Sequence, residues 1–148
     1  MSAASKKRPS RNDYESAIEQ LTVAAREARG RAYAPYSKYR VGAALVTSGG
    51  TVFAGCNVEN SSYGATICAE RGAIMAMIAA GETEPIACVV VTAGAEPASP
   101  CGMCRQVLAE FADDMLIVLI GEGARGRLVR RDTTLARLLP DAFRFQKE

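Results

Sequence analysis

Histidine is absent from all 148 residues of the sequence. That removes the side chain that most often serves as a general base near neutral pH and most often shares a zinc site with sulfur. Any acid–base step must then run through another group, with a carboxylate the obvious choice, and any zinc site must be built from thiolates. Long hydrophobic runs are missing too. The longest apolar stretch, around residues 74–80, is far too short to span a bilayer. Charge excess is small: a net +2 from 18 basic and 16 acidic side chains does not by itself point to nucleic acid. Neither a membrane nor a nucleic acid is therefore expected as a partner. No linker and no internal repeat interrupts the chain, and its length suffices for one continuous core.

Residues 1–11 carry Lys6, Lys7, Arg8 and Arg11 with no apolar run behind them, unlike a secretory leader. They are expected to form a flexible basic tail, leaving 12–148 as a single folded domain. Five cysteines, an odd number that includes a C-x-x-C pair, suit metal or redox chemistry in a reducing compartment better than a disulfide framework. A cytoplasmic location is the matching expectation.

Ile18, Leu21, Ala25 and Ala28 recur at helical spacing and predict an amphipathic helix over 12–29, stopped by Gly30. Segments 41–47 and 51–56 flank Ser48-Gly49-Gly50 and predict a β-hairpin. The polar stretch 57–66 predicts a substrate loop. Residues 67–80 predict a helix that is apolar nearly all round, which must be covered on every side, one side being assigned to another subunit. Buried strands are expected at 86–92 and 115–120, a helix at 101–111, a fifth strand at 127–130 and a short closing helix at 133–139. The order α-β-β-α-β-α-β-β-α makes a three-layer α/β/α domain around a mixed, five-stranded sheet. The basic residues Arg125, Arg127, Arg130 and Arg131 are expected to be a solvated edge strand or a subunit contact rather than an RNA patch.

Two clusters carry the chemistry: Cys68-Ala69-Glu70 and Pro100-Cys101-Gly102-Met103-Cys104. Both fall at predicted helix starts, where free amide N–H groups and the helix dipole favour thiolate over thiol. Two such helices side by side would aim Cys68, Cys101 and Cys104 at one point. Three protein ligands leave a fourth position open for water, the layout of a catalytic zinc site. Glu70, too near Cys68 to be a natural ligand, is free to face that position. Three thiolates leave the site with net charge −1 and weaken the metal as a Lewis acid. Arg71 and Arg105 are the candidates to offset this through hydrogen bonds to sulfur, with Arg71 preferred. A thiol–disulfide site at the C-x-x-C would leave Cys68 and Glu70 without a role. A closed structural zinc knot would need a fourth sulfur, and Cys56 and Cys88 sit where cysteine packs as a small hydrophobe.

The chain resembles the small homotetrameric zinc-dependent cytidine deaminases from about Tyr14 to Phe143. The segments that carry the resemblance are Tyr33-Ala34-Pro35-Tyr36-Ser37-Lys38-Tyr39, Val41-Gly42-Ala43-Ala44-Leu45, Gly55-Cys56-Asn57-Val58-Glu59-Asn60, Cys68-Ala69-Glu70-Arg71, Ser99-Pro100-Cys101-Gly102-Met103-Cys104-Arg105-Gln106 and Leu138-Leu139-Pro140-Asp141-Ala142-Phe143. The resemblance implies hydrolysis of the 4-amino group of cytidine and 2′-deoxycytidine in pyrimidine salvage, with one Zn²⁺ per subunit on the three cysteines. Zinc would generate hydroxide near neutral pH, and Glu70 would shuttle protons to N3 and to the leaving amine, with its pKa raised by enclosure.

The same resemblance implies that Asn57 and Glu59 bind the ribose 3′-hydroxyl, which favours nucleosides over nucleotides. It implies that Tyr39, where the family has phenylalanine, packs on the base, and that the Ala69 N–H meets the base carbonyl. Ser61 and Tyr63 would reach a neighbouring subunit's pocket, and Phe143 would enter a site from another subunit. The polynucleotide-editing deaminases generally use His-Ala-Glu, which a chain without histidine cannot supply. A deaminase of a cytosine-bearing nucleoside antibiotic would keep all of the zinc chemistry; the Asn57–Asn60 loop and Phe143 argue for plain nucleosides.

Overall fold

The computed structural model describes residues 10–147. Most of the expected basic tail, residues 1–9, lies outside them. Its last two residues belong to the domain, which corrects the expected boundary at residue 12. Ser10 is the N-cap of α1 (Arg11–Gly30) and closes a capping box with Asp13. The Ser10 hydroxyl accepts from the Asp13 amide at 3.2 Å, and the Asp13 carboxylate accepts from the Ser10 amide at 2.9 Å. The Ser10 hydroxyl also donates to that carboxylate at 2.7 Å, which holds the Asp13 pKa below its ordinary value. The S-x-x-D pattern is a local helix-start signal that the run of basic residues overshadowed.

Beyond α1 come the hairpin β1 (Val41–Thr47) and β2 (Val52–Cys56), then α2 (Ala69–Ala79), β3 (Pro85–Ala93), α3 (Gly102–Phe111), β4 (Leu116–Glu122), β5 (Leu128–Thr134) and α4 (Leu135–Leu138). The expected order of elements holds. Five strands form one sheet in the order β2-β1-β3-β4-β5, with β3 and β4 parallel and the other pairs antiparallel. Alternating side chains of the central strands serve two cores, which is why 87–91 is apolar without a break. Val89 and Val91 face α1 together with Ala44, Val118 and Ile120, against Ile18, Leu21 and Ala25. Cys88 and Val90 face the opposite layer with Leu45, Ile117 and Leu119, against Ile74 and Met77 of α2 and Leu108 of α3.

Several expected boundaries move. The helix predicted over 67–80 begins at Ala69, because Ile67 bridges to Val58 and Cys68 is the N-cap. The strand predicted over 127–130 runs on to Thr134, because Thr133 and Thr134 pair with Ile117 and Leu116. The closing helix is thereby cut to the single turn of α4. As expected, β5 is an edge strand. Its Arg130 is held between Glu15 and Asp132, and Arg131 donates to the Ser99 hydroxyl at 2.7 Å.

Two glycines set how closely the helices lie on the sheet. A Cβ on Gly42 would collide with the Ala25 carbonyl of α1. A Cβ on Gly55 would collide with the Ala69–Ala73 backbone of α2. Gly55 therefore lets the start of α2, with Cys68 and Glu70, sit directly on β2.

Candidate metal centre and active site

Cys68 and Cys101 are both N-caps, of α2 and α3, and neither side chain accepts a capping hydrogen bond. The first-turn amides of both helices thus have no side-chain cap, and their partial positive charge lies beside the sulfurs. Cys104 lies one turn into α3 and is fully buried. The three Sγ atoms all lie within 4.8 Å of one another, with Cys68 and Cys101 3.8 Å apart. Zinc–sulfur bonds of about 2.3 Å in a tetrahedron require sulfurs about 3.8 Å apart, so the trio fits a zinc ion. All three donors are thiols, in a chain that has no histidine to share the site. The described residues offer no other such group of histidine, cysteine or carboxylate side chains, and Cys56 and Cys88 stand apart as free thiols.

A hydrogen bond from Cys104, with help from Arg71 and Cys101, pulls the Cys68 pKa down to about 5. The Cys104 pKa is pushed up by that same bond and by burial. Glu70, on the first turn of α2, is 5% exposed, and its carboxylate accepts a long contact of 3.7 Å from the Cys104 thiol. Burial raises its pKa above the usual carboxylate range.

Arg71 is the arginine on sulfur. Its Nη2 donates to Cys68 Sγ at 3.2 Å and to the Thr66 carbonyl at 3.3 Å. Its Nε is buried without a partner among the described residues. Arg105 does something else: it donates to the Pro100 carbonyl at 2.7 Å and to the Leu138 carbonyl at 2.8 Å, tying the loop before Cys101 to α4.

Cys68 and Cys101 line a cavity of about 280 Å³, and Cys104 is buried outside its lining. Of the expected substrate residues, Tyr39, Asn57, Glu59 and Ala69 line it together with Glu70. Asn57 is committed to the backbone at both ends of its amide. Its Oδ1 accepts from Val41 N–H and its Nδ2 donates to the Tyr39 carbonyl, each at 2.8 Å. The Glu59 Oε1 accepts from the amides of Tyr36 (3.0 Å) and Ser37 (3.2 Å). Ser61, Tyr63 and Phe143 are not brought into this cavity. Ser61 meets the Tyr36 hydroxyl at 2.9 Å, Tyr63 is 78% exposed, and Phe143 stacks edge-on against Phe145.

The family model for the cytidine and deoxycytidylate deaminase zinc-binding region matches residues 15–120, which hold the whole thiol trio and Glu70. The chain belongs to that family. A cytidine deaminase of Sporosarcina psychrophila is 44% identical over 85% of this chain and 90% of its own length. The crystal structure of a cytidine deaminase from Burkholderia pseudomallei superposes with a TM-score of 0.76 at 48% identity, covering 84% of this chain and 98% of that one. A blasticidin-S deaminase of Bacillus cereus is more distant, 30% identical over 70% of this chain and 76% of its own. Zinc is this family's metal, and Cys68, Cys101 and Cys104 are the residues here able to hold it.

Residue-by-residue reading of this deaminase chain missed other parts of the cavity wall. Ser37, Thr66, Val90, Thr92 and Ser99 also line it. Ser37 and Ser99 stand inside segments that signalled the family, but their side-chain roles depend on partners distant in sequence. Ser99 is gripped by Arg131 across 32 residues, and no local pattern announces that.

Proposed function

We propose that this protein hydrolyses cytidine and 2′-deoxycytidine to uridine and 2′-deoxyuridine with release of ammonia, a cytoplasmic step of pyrimidine salvage. The single observation that carries the reading is a buried Glu70 carboxylate beside three convergent thiols, in a cavity of about 280 Å³. Zinc held by Cys68, Cys101 and Cys104, one ion per subunit, supplies the Lewis acidity that makes water nucleophilic near neutral pH.

Glu70 takes a proton from the attacking water, delivers it to N3 of the base, and carries the second proton to the departing amine. Arg71 withdraws charge from Cys68 and keeps the trio from over-neutralising the metal. The Ala69 amide meets the base carbonyl, and the Tyr39 ring packs on the base. Glu59 spends Oε1 on the Tyr36 and Ser37 amides, which leaves Oε2 to accept from the ribose 3′-hydroxyl. Hydrogen bonding from Ser37 holds the Glu59 pKa down, so the group is anionic at neutral pH and repels a phosphate. Asn57 borders the same ribose site while fixing the segment that carries Tyr39.

The assembly in this reading is a homotetramer with shared active sites. Met75 and Ile78 of α2 are 54% and 41% exposed, an apolar face that a neighbouring subunit would cover. Ser61, Tyr63 and Phe143 then serve a neighbour's cavity, which agrees with their standing outside their own. Deamination of a nucleoside antibiotic is not favoured: the blasticidin-S deaminase is a more distant relative than the cytidine deaminases.

Zinc per chain, measured together with loss of cytidine ultraviolet absorbance, tests the proposal. Turnover of cytidine and deoxycytidine, with CMP and free cytosine poor, is the expected result. Zinc-loaded protein that leaves both nucleosides intact would overturn it.

A further inference from the structure

On the face of the sheet opposite the thiols, at the end of α1, an open cleft of about 590 Å³ gathers Arg26, Arg29 and Arg40 around a single carboxylate, Glu122. We infer that this cleft is a binding site for an oligophosphate anion, the phosphate chain of a nucleotide or an inorganic polyphosphate.

Charge balance is the first argument. Elsewhere Arg130 is answered by Glu15 and Asp132 and Arg144 by Asp113, and Arg105 spends its donors on two carbonyls. In the cleft one carboxylate is shared by Arg26 Nε and Arg29 Nη1, and Arg40 has no acidic partner among the described residues. Three guanidinium groups against one carboxylate leave two positive charges unanswered.

Donor geometry is the second. Arg29 spends Nε on the Arg40 carbonyl, and Arg40 spends Nη1 on the Gly30 carbonyl at 3.2 Å. These bonds hold the side chains in place and leave Nη1 and Nη2 of Arg26, Nη2 of Arg29, and Nε and Nη2 of Arg40 unbonded to protein among the described residues. Planar forks of this kind match phosphoryl oxygens in pairs. The backbone beneath Arg40 is fixed as well, because Asn57 grips both neighbours, Tyr39 and Val41. A site preorganised in this way loses little entropy on binding.

Space is the third. Gly30 and Gly126 line the cleft, and a Cβ at either would meet nothing within 4 Å, so the cleft stays open between the arginines. Its volume is within the range of small-molecule sites and exceeds what one phosphate fills. The inference stands apart from the proposed reaction, since none of these residues touches the nucleoside cavity.

Calorimetric titration of the zinc-loaded protein with inorganic tripolyphosphate, ATP and adenosine tests it, at about 0.15 M salt, where exposed charges are largely screened. Saturable binding of tripolyphosphate, one per chain, with none for adenosine, is expected. ATP binding more tightly than tripolyphosphate assigns the site to nucleotides; equal affinity assigns it to the phosphate chain alone. Replacing Arg26→Gln and Arg40→Gln together should weaken binding about tenfold or more. Glu122→Gln should tighten it about three- to fivefold by removing the competing anion. Absence of saturable binding, or unchanged affinity in both variants, overturns the inference. The opposite signs expected of the two variants separate a lost ligand contact from mere destabilisation.

Discussion

Asn57→Ala tests how the active-site wall is held. The Asn57 amide bridges Val41 N–H and the Tyr39 carbonyl, each at 2.8 Å, and so pins the segment that enters β1. Deleting it leaves one backbone donor and one acceptor without their partner. At about 0.5–1.5 kcal/mol for each hydrogen bond, the loss is about 2 kcal/mol. For a chain of this length that lowers the melting temperature by about 4–8 °C. Because an oligomer's stability depends on protein concentration, parent and variant must be melted at equal concentration with zinc saturating. Asn57→Asp should do no better. It keeps an acceptor for Val41 N–H but sets an ionised oxygen against the Tyr39 carbonyl. Tyr39 lines the cavity, so KM for cytidine should rise in both variants. An Asn57→Ala protein that melts within about 1 °C of the parent, with KM unchanged, refutes the clamp.

Glu70→Gln should retain one zinc per chain and lose about 10²–10⁴ of kcat, because the amide cannot shuttle a proton; full zinc occupancy with near-normal kcat would remove Glu70 from the reaction. Arg71→Gln should cost about 10–100-fold in zinc affinity or activity, measured by chelator competition and steady-state kinetics, since it withdraws the one guanidinium on Cys68 sulfur. Ser10→Ala should destabilise the fold by about 1 kcal/mol at neutral pH in urea unfolding. Asp13 has a lowered folded pKa, so its share of the capping box is present above its ordinary unfolded value and is lost as pH falls through the folded one. The gap between parent and variant should therefore narrow in acid.

The ligand chemistry is legible in the sequence itself. Residue identity alone excluded imidazole, and the placement of Cys68, Cys101 and Cys104 at helix starts announced three sulfurs with a neighbouring carboxylate. The periodicity of α1 and the turn at Ser48-Gly49-Gly50 were equally local, and both elements lie where their patterns put them. Boundaries were less legible. Thr133 and Thr134 look like a helix start, yet pairing with Ile117 and Leu116 outweighs that preference. A run of charge hides the capping box by which Ser10 starts α1.

The amino-acid sequence by itself determined which functional groups this protein owns and the order in which its helices and strands follow, because both depend on residue type and short spacings. Only the tertiary structure decided which of those groups meet. The thiols of Cys68 and Cys101, 33 residues apart, come within 3.8 Å because β1 and the parallel β3 and β4 set the helices side by side and Gly55 lets α2 lie flush on the sheet. The same packing sent Arg71 to sulfur and Arg105 to carbonyls, and left three arginines crowded around Glu122. Side-chain chemistry is local, whereas the distance between two helix ends depends on everything packed between them.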